Sequence, residues 1–305
     1  MKSTKLLFLL LICTGSALAQ NVDISEEGDF STEDGWIPLQ DDFSRAELLQ
    51  MAAPEDLEPM AIPQPFRFPT STLGKDAIFG IDISHNDKPK IPFDQMAADN
   101  VHYVYVKATQ GTTFKDPMFA QYWSKLAALP AAEKVARGVY HFLSASDDPK
   151  LQAERFVAFM NLHGGVLQSD LSPVMDLEWD IGCKNCRDRW LSHSPQEIVS
   201  RALIWLNRVQ ELTGKTPMVY TARSWWLSAH IPEADFAKLS KFNIWIADYS
   251  AGHLATEAPA VPNKEKASIW QFSESAKLTG YSGVVDANIF YGSEAEFETT
   301  FLSSK

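Results

Sequence analysis

The sequence predicts an α/β fold, a closed β/α barrel that becomes irregular in its second half. Three observations predict it. From Asp76 onward, short β-rich runs alternate with helical patterns, the order of a parallel sheet with helical crossovers. Several runs are apolar nearly throughout, as strands covered on both faces are. Eight such runs occur, enough to suggest closure into a TIM-like barrel. An open doubly wound sheet is the alternative. It would normally bring a glycine-rich turn after the first strand, where Asp82-Ile83-Ser84-His85-Asn86 stands instead.

The strand candidates are 78–84, 103–107, 138–143, 173–179, 217–221, 244–247, 268–272 and 284–289. The helices between them carry start signals. Asp116-Pro117 and Asp148-Pro149 each offer an N-cap followed by a proline at the first helical position. Ser194-Pro195-Gln196-Glu197 is a capping box. It opens an apolar stripe of Ile198, Ala202, Trp205, Leu206 and Val209, with a stop expected near Gly214. The later strands are separated by less helical sequence, hence the expected irregularity.

Two segments precede the barrel. In residues 1–19, Lys2 and Lys5 lead an apolar run from Leu6 to Ile12, followed by Ala17-Leu18-Ala19. That is the pattern of a secretory signal cut after Ala19, and the run is short for a membrane-spanning helix. A retained N-terminal anchor is the other reading; Cys13 lacks a convincing lipid-attachment context. Residues 20–74 read as an acidic, Pro-rich linker or extension with at most a short helix at 44–51. Five prolines between Pro54 and Pro69 break longer helices, and residues 21–74 carry a net charge of −10. A segment that packs on the barrel or binds a partner remains open. The barrel itself is expected over 75–305.

Charge excludes some functions. The whole chain carries −12, and −14 after signal removal, so it lacks the basic surface of a nucleic-acid binder. Cys183 and Cys186 remain after processing. In an exported chain the plain reading is a local disulfide; zinc would need further ligands, and no second Cys pair follows. The chain has no G-x-S-x-G elbow, H-E-x-x-H helix or phosphate loop.

Candidate chemistry sits in acids on separate strands. Asp82 closes the first, Asp176 and Glu178 the fourth, and Asp286 lies in the last. Asp176 and Glu178 are two apart, so both project from one strand face, which in a barrel can be the interior near the mouth. Four carboxylates meeting there repel one another, which favours holding one protonated as a general acid. Another would stabilise positive charge at an anomeric carbon. Singly, each acid also reads as a turn former, and the cluster could instead hold magnesium or calcium. Aromatic and polar residues at the same strand ends are candidate sugar contacts: Tyr105, Lys107, Gln110, Tyr140, His141, Tyr220, Trp245, Tyr249 and Trp270. Core packing is the competing reading for Trp245 and Trp270, and a hydrogen-bonded structural role for His141.

Eight stretches in order carry a resemblance. They are Gly80-Ile81-Asp82-Ile83-Ser84-His85, Val106-Lys107-Ala108-Thr109-Gln110-Gly111, Gly138-Val139-Tyr140-His141-Phe142 and Pro173-Val174-Met175-Asp176-Leu177-Glu178. Val219-Tyr220-Thr221, Ile244-Trp245-Ile246-Ala247-Asp248-Tyr249, Trp270-Gln271-Phe272-Ser273 and Val285-Asp286-Ala287-Asn288-Ile289-Phe290 follow. Together they resemble glycoside hydrolase family 25, the N-acetylmuramidase lysozymes. The resemblance implies an irregular β/α barrel that cuts peptidoglycan glycan strands at the β-1,4 bond from N-acetylmuramic acid to N-acetylglucosamine. It implies Glu178 as proton donor, Asp176 as partner of the substrate's own N-acetyl group, and Asp82 and Asp286 completing the set. Configuration would be retained, with no metal or other cofactor. The chain departs from the family where Gln110 replaces the usual Glu and where Asn86-Asp87-Lys88 follows His85. The Cys183–Cys186 insert could shape the rim. Two rivals stand: a non-catalytic glycan-binding barrel, and a glycosidase acting on chitin. The longer acidic run of chitinase-like barrels is absent before Asp176. The reading places the protein in the periplasm or outside the cell, off the membrane after signal cleavage, with protein partners undetermined.

Overall fold

Side chains alternate across a strand, so pairing register decides which residues of this chain face one another. The computed structural model describes residues 66–69, 76–87, 91–130, 133, 135–183, 186–249, 258–262 and 265–302. The signal expected at 1–19, the helix considered at 44–51 and most of the 20–74 stretch lie outside these residues.

The strands are β1 (Phe66–Arg67), β2 (Ala77–Ile83), β3 (Val101–Gln110), β4 (Phe114–Lys115), β5 (Ala136–Phe142), β6 (Val174–Leu177), β7 (Met218–Ala222), β8 (Asn243–Ala247), β9 (Ile269–Lys277) and β10 (Val285–Tyr291). Eight of them close a barrel in the order β9, β10, β2, β3, β5, β6, β7, β8, with β8 pairing back to β9. All eight sequence candidates are strands. The expectation of a wholly parallel sheet is corrected in one place: β10 runs antiparallel to both β2 and β9. The connection at 278–284 is too short for a crossover, and it turns through Gly280 at φ +78°. The chain therefore folds back, and β10 brings its first residues, not its last, to the barrel mouth.

Two short strands were not foreseen. β4 hairpins onto the end of β3 through Gly111, at φ +56°. β1 adds to β9 on the outside, where Phe66 packs edge-on against Phe272 at 4.8 Å. Phe68 meets Phe79 at 5.9 Å. The end of the stretch expected to be an irregular extension thus belongs to the packed barrel.

The helices are α1 (Phe119–Ala127), α2 (Pro149–Leu162), α3 (Pro195–Thr213), α4 (Arg223–Ser228), α5 (Glu233–Phe236) and α6 (Glu294–Phe301). Asp148 caps α2 by accepting from the Leu151 amide, with Pro149 next. Ser194 and Glu197 form the reciprocal capping box of α3, which ends at Gly214 with φ +70°. Asp116 does not cap α1. Its Oδ2 accepts from the His85 amide and meets His85 Nδ1 while its Oδ1 accepts from the Met118 amide at 2.8 Å, so Asp116 holds the turn before α1 and the helix begins after Met118 without a side-chain cap of its own. Between β8 and β9 the described residues hold no helix, which is the irregular second half.

The barrel interior is filled from below by tyrosines laid over glycines. A Cβ on Gly80 would stand 2.2 Å from the Tyr103 ring, and one on Gly138 would stand 2.2 Å from the Tyr105 ring. Only glycine leaves room for these rings to cross a neighbouring strand. The outer faces of β3, β5 and β6 pack beneath α2 and α3, whose Phe156 and Trp205 are fully buried.

Candidate active site

Register sorts the candidate residues. Asp82 pairs with Asp286 on one side and Tyr105 on the other. Lys107 pairs with Tyr140, Phe142 with Asp176, Asp176 with Tyr220, and Tyr220 with Trp245. These residues share the inner face. Glu178 follows two positions after Asp176, just beyond the end of β6. Asp82, Glu178 and Asp286 are half-buried, while Asp176 is buried beneath the rim. β6 and β10 lie four strands apart around the closed barrel, directly across it. The acids therefore form two groups facing each other over the mouth: Asp176 with Glu178, and Asp286 with Asp82.

One amide ties the second group together. Gln271 on β9 donates through Nε2 to Asp82 Oδ1 at 2.9 Å and to Asp286 Oδ2 at 3.1 Å. Its Oε1 accepts from the Tyr220 hydroxyl at 2.8 Å and the Tyr249 hydroxyl at 2.5 Å. Asn288 Nδ2 gives Asp82 Oδ1 a further hydrogen bond at 2.7 Å, and Trp245 Nε1 holds Asn288 Oδ1 at 2.8 Å. Gln271 and Asn288 stand inside the motifs that carried the family resemblance, yet the sequence did not single them out. Amides are weak chemical signals, and only the closure of β9 beside β10 and β2 shows what they touch.

The predicted sugar contacts divide. Tyr220 and Tyr249 join the network at the acids, and Tyr140 is half-buried on the inner face beside Lys107. Trp245 lies below them as a floor, 4.9 Å from Tyr220 and 5.0 Å from Tyr105. Lys107 is buried between Phe114 and Phe142 and donates to Gln110 Oε1 at 3.0 Å. Gln110 itself lines a 320 Å³ cavity with Thr113, Ser144, Ser146, Asp147 and Arg189. Leu143 N bonds Asp176 O, so the chain through Ser144 runs alongside the chain leading to Glu178.

Three candidates are corrected. Tyr105 points down the barrel, donating to the Ser172 carbonyl at 3.2 Å near the start of β6, so it packs the floor. Burial pushes its hydroxyl pKa up, and burial with neighbouring Tyr105 and Asp82 does the same for Tyr103. Trp270 pairs with Ile246 on the outer face and donates to the Asp248 carbonyl at 2.8 Å. His141 also faces outward, stacked on Trp205 at 5.3 Å, between Thr109 Oγ1 at 2.7 Å and Gln152 Oε1 at 3.2 Å. Trp270 and His141 each sit next in sequence to an inward-facing residue, and a one-residue step reverses the face; Tyr105 does face inward, but lies below the acids.

Beyond β6, Asp180 is fully buried and accepts from Ser144 Oγ, the Ala145 amide and Arg189 Nη1 at 2.8–3.0 Å. Cys183 and Cys186 are joined as a disulfide in the same loop. Among the described residues, no three His, Cys, Asp or Glu side chains are grouped as metal ligands would be. No helix among them is long and apolar enough to cross a membrane.

Comparison with known proteins gives the same family as the resemblance. The family described as Glycosyl hydrolases family 25 matches residues 81–281, a span that includes Asp82, Asp176, Glu178 and Gln271. The chain belongs to this family. It is a glycoside hydrolase with an irregular β/α barrel. It is 27% identical over 226 residues to the Escherichia coli K12 protein YegX, covering 72% of each chain. It is 29% identical over 242 residues to lysozyme M1 of Streptomyces globisporus, covering 74% of this chain and 71% of that one. Among solved structures, the muramidase from Acremonium alcalophilum superposes with a TM-score of 0.58 at 25% identity, over 73% of this chain and 98% of the other.

Proposed function

We propose that the protein is an exported N-acetylmuramidase that cuts the β-1,4 bond between N-acetylmuramic acid and N-acetylglucosamine in peptidoglycan. The observation that carries this reading is the pair of carboxylate groups facing each other across one barrel mouth. The similarity to proteins named lysozyme and muramidase supports the choice of glycan.

In this reading Glu178, half-exposed at the rim, gives its proton to the departing glycosidic oxygen. Asp176, buried two residues earlier on the same face, accepts a hydrogen bond from the substrate's acetamido N–H. That orients the acetamido oxygen toward the anomeric carbon, where it displaces the leaving group. Water, deprotonated by the Glu178 carboxylate, then opens the cyclic intermediate and restores the acid. Two displacements at one carbon retain configuration. Across the mouth, Asp82 and Asp286 offset positive charge as the oxocarbenium character develops. Residues 1–19 serve as the cleaved export signal, leaving the enzyme in the periplasm or outside the cell.

Mass spectrometry of borohydride-reduced digests of purified peptidoglycan tests the bond assignment: reduced muramic acid ends are expected. Reduced glucosamine ends, or no release, would overturn it. Glu178→Gln keeps the shape and removes the transferable proton, so kcat is expected to fall by roughly 10²–10⁴-fold.

A further inference from the structure

We propose that Gln271 is a positioning residue of the catalytic mouth, the group that sets the orientation of Asp82 and Asp286 as a unit. This rests on the muramidase reading above for what the two carboxylates do.

The amide orientation is fixed by its neighbours. Asp82 from β2 and Asp286 from β10 meet one end of the side chain. Tyr220 from β7 and Tyr249 from the segment after β8 meet the other. Among the described residues these four are the titratable groups to which its hydrogen bonds are seen. Turning the amide over would aim its oxygen at two acids that offer only acceptors when ionised. The observed orientation satisfies all four contacts: two phenols donate to one oxygen, and one nitrogen donates both hydrogens to two carboxylates. Gln271 is buried, so no rearranged water shell replaces these bonds cheaply.

The consequence is mechanical as well as electrostatic. Asp82 and Asp286 are cross-strand partners with their charges side by side. Asn288 holds Asp82 as well, but Gln271 is a donor that the two acids share, offsetting their repulsion. A shared donor holds one oxygen of each toward β9. Tyr220, which donates to Gln271, is also the cross-strand neighbour of Asp176, so the Gln271 network reaches the strand beside the first acid group. Gln271 touches neither leaving group nor anomeric carbon in this account. It acts through the two acids.

The test is Gln271→Glu, which preserves shape but turns the donor into an acceptor until it is protonated. Wild-type turnover on purified peptidoglycan is measured first, and its absence would sink the muramidase reading rather than this one. With an active wild type, the ratio of variant to wild-type kcat is followed from about pH 7.5 down to about pH 4.5. The expected result is about a 10²-fold loss of kcat near neutrality with KM within about threefold. The ratio should recover at least about fivefold in acid, as the introduced carboxyl regains a hydrogen to donate. A ratio that stays flat across the range, or a loss carried only by KM, overturns the proposal. If that variant fails to fold, the double variant Tyr220→Phe with Tyr249→Phe takes its place. Freed of both phenols, the amide loses its preferred orientation, and kcat is expected to drop about tenfold with KM within about twofold. Unchanged kcat in that variant overturns the proposal as well.

Discussion

His141 makes the barrel acid-sensitive in a way that can be worked out in advance. The imidazole is fully buried between the sheet and Trp205. Its pKa is lowered to about 3, first by burial and further by the charge of Lys107, against a raising hydrogen bond from Gln152. The network also fixes its tautomer. Gln152 Nε2 donates to the Ser144 and Asp147 carbonyls, so Gln152 Oε1 is the acceptor end. His141 Nε2 therefore carries the hydrogen, and Nδ1 accepts from the Thr109 hydroxyl. A second proton would have to enter where Nδ1 already accepts. In the unfolded chain the imidazole titrates near 6.5. The folded pKa is the lower one, so the native state binds fewer protons between the two values. Stability from this group is fully present above about pH 6.5 and declines as pH falls toward 3. From about pH 7 to about pH 5 the loss is about 2 kcal/mol, and it reaches about 5 kcal/mol below both values. For a barrel of this size, about 2 kcal/mol is roughly 4–8 °C in Tm. The assay compares urea midpoints and Tm at both pH values for the wild type and His141→Gln, which keeps an amide between Thr109 and Gln152 but does not titrate. The variant should be less stable near neutrality and should lose about 2 kcal/mol less on acidification. An identical pH slope in both proteins would refute the reasoning.

Three further outcomes follow from other contacts. Asp180→Asn places an amide nitrogen against either Arg189 or the Ser144–Ala145 donors. With Arg189 about a third exposed, the expected cost is about 2 kcal/mol by chemical denaturation, with reduced turnover because Glu178 lies two residues upstream. Gly80→Ala drives a methyl into the Tyr103 ring, so a loss of about 1–3 kcal/mol is expected, and an unchanged Tm would show that the ring can move away. Ser194→Ala breaks the capping box of α3 and should lower stability by about 1 kcal/mol without altering kcat.

What the sequence determined is whatever depends on near neighbours. Strand runs, the caps at Asp148 and Ser194, the stop at Gly214 and the shared face of Asp176 and Glu178 all follow from local periodicity and local hydrogen bonding. Motif order was enough to reach the family, since it records side-chain identities along the chain and not their contacts. Tertiary structure decided the rest. Whether His141 and Trp270 face the barrel interior or its outside turns on a one-residue register, and how deep the inward-facing Tyr105 sits turns on the offset between strands, neither of which local composition encodes when both sheet faces are buried. The reversal of β10, the docking of Phe66 on β9 and the use of Asp116 by His85 are each set by a partner distant in sequence. So is the role of Gln271: an amide becomes a holder of two acids only when barrel closure sets three strands side by side.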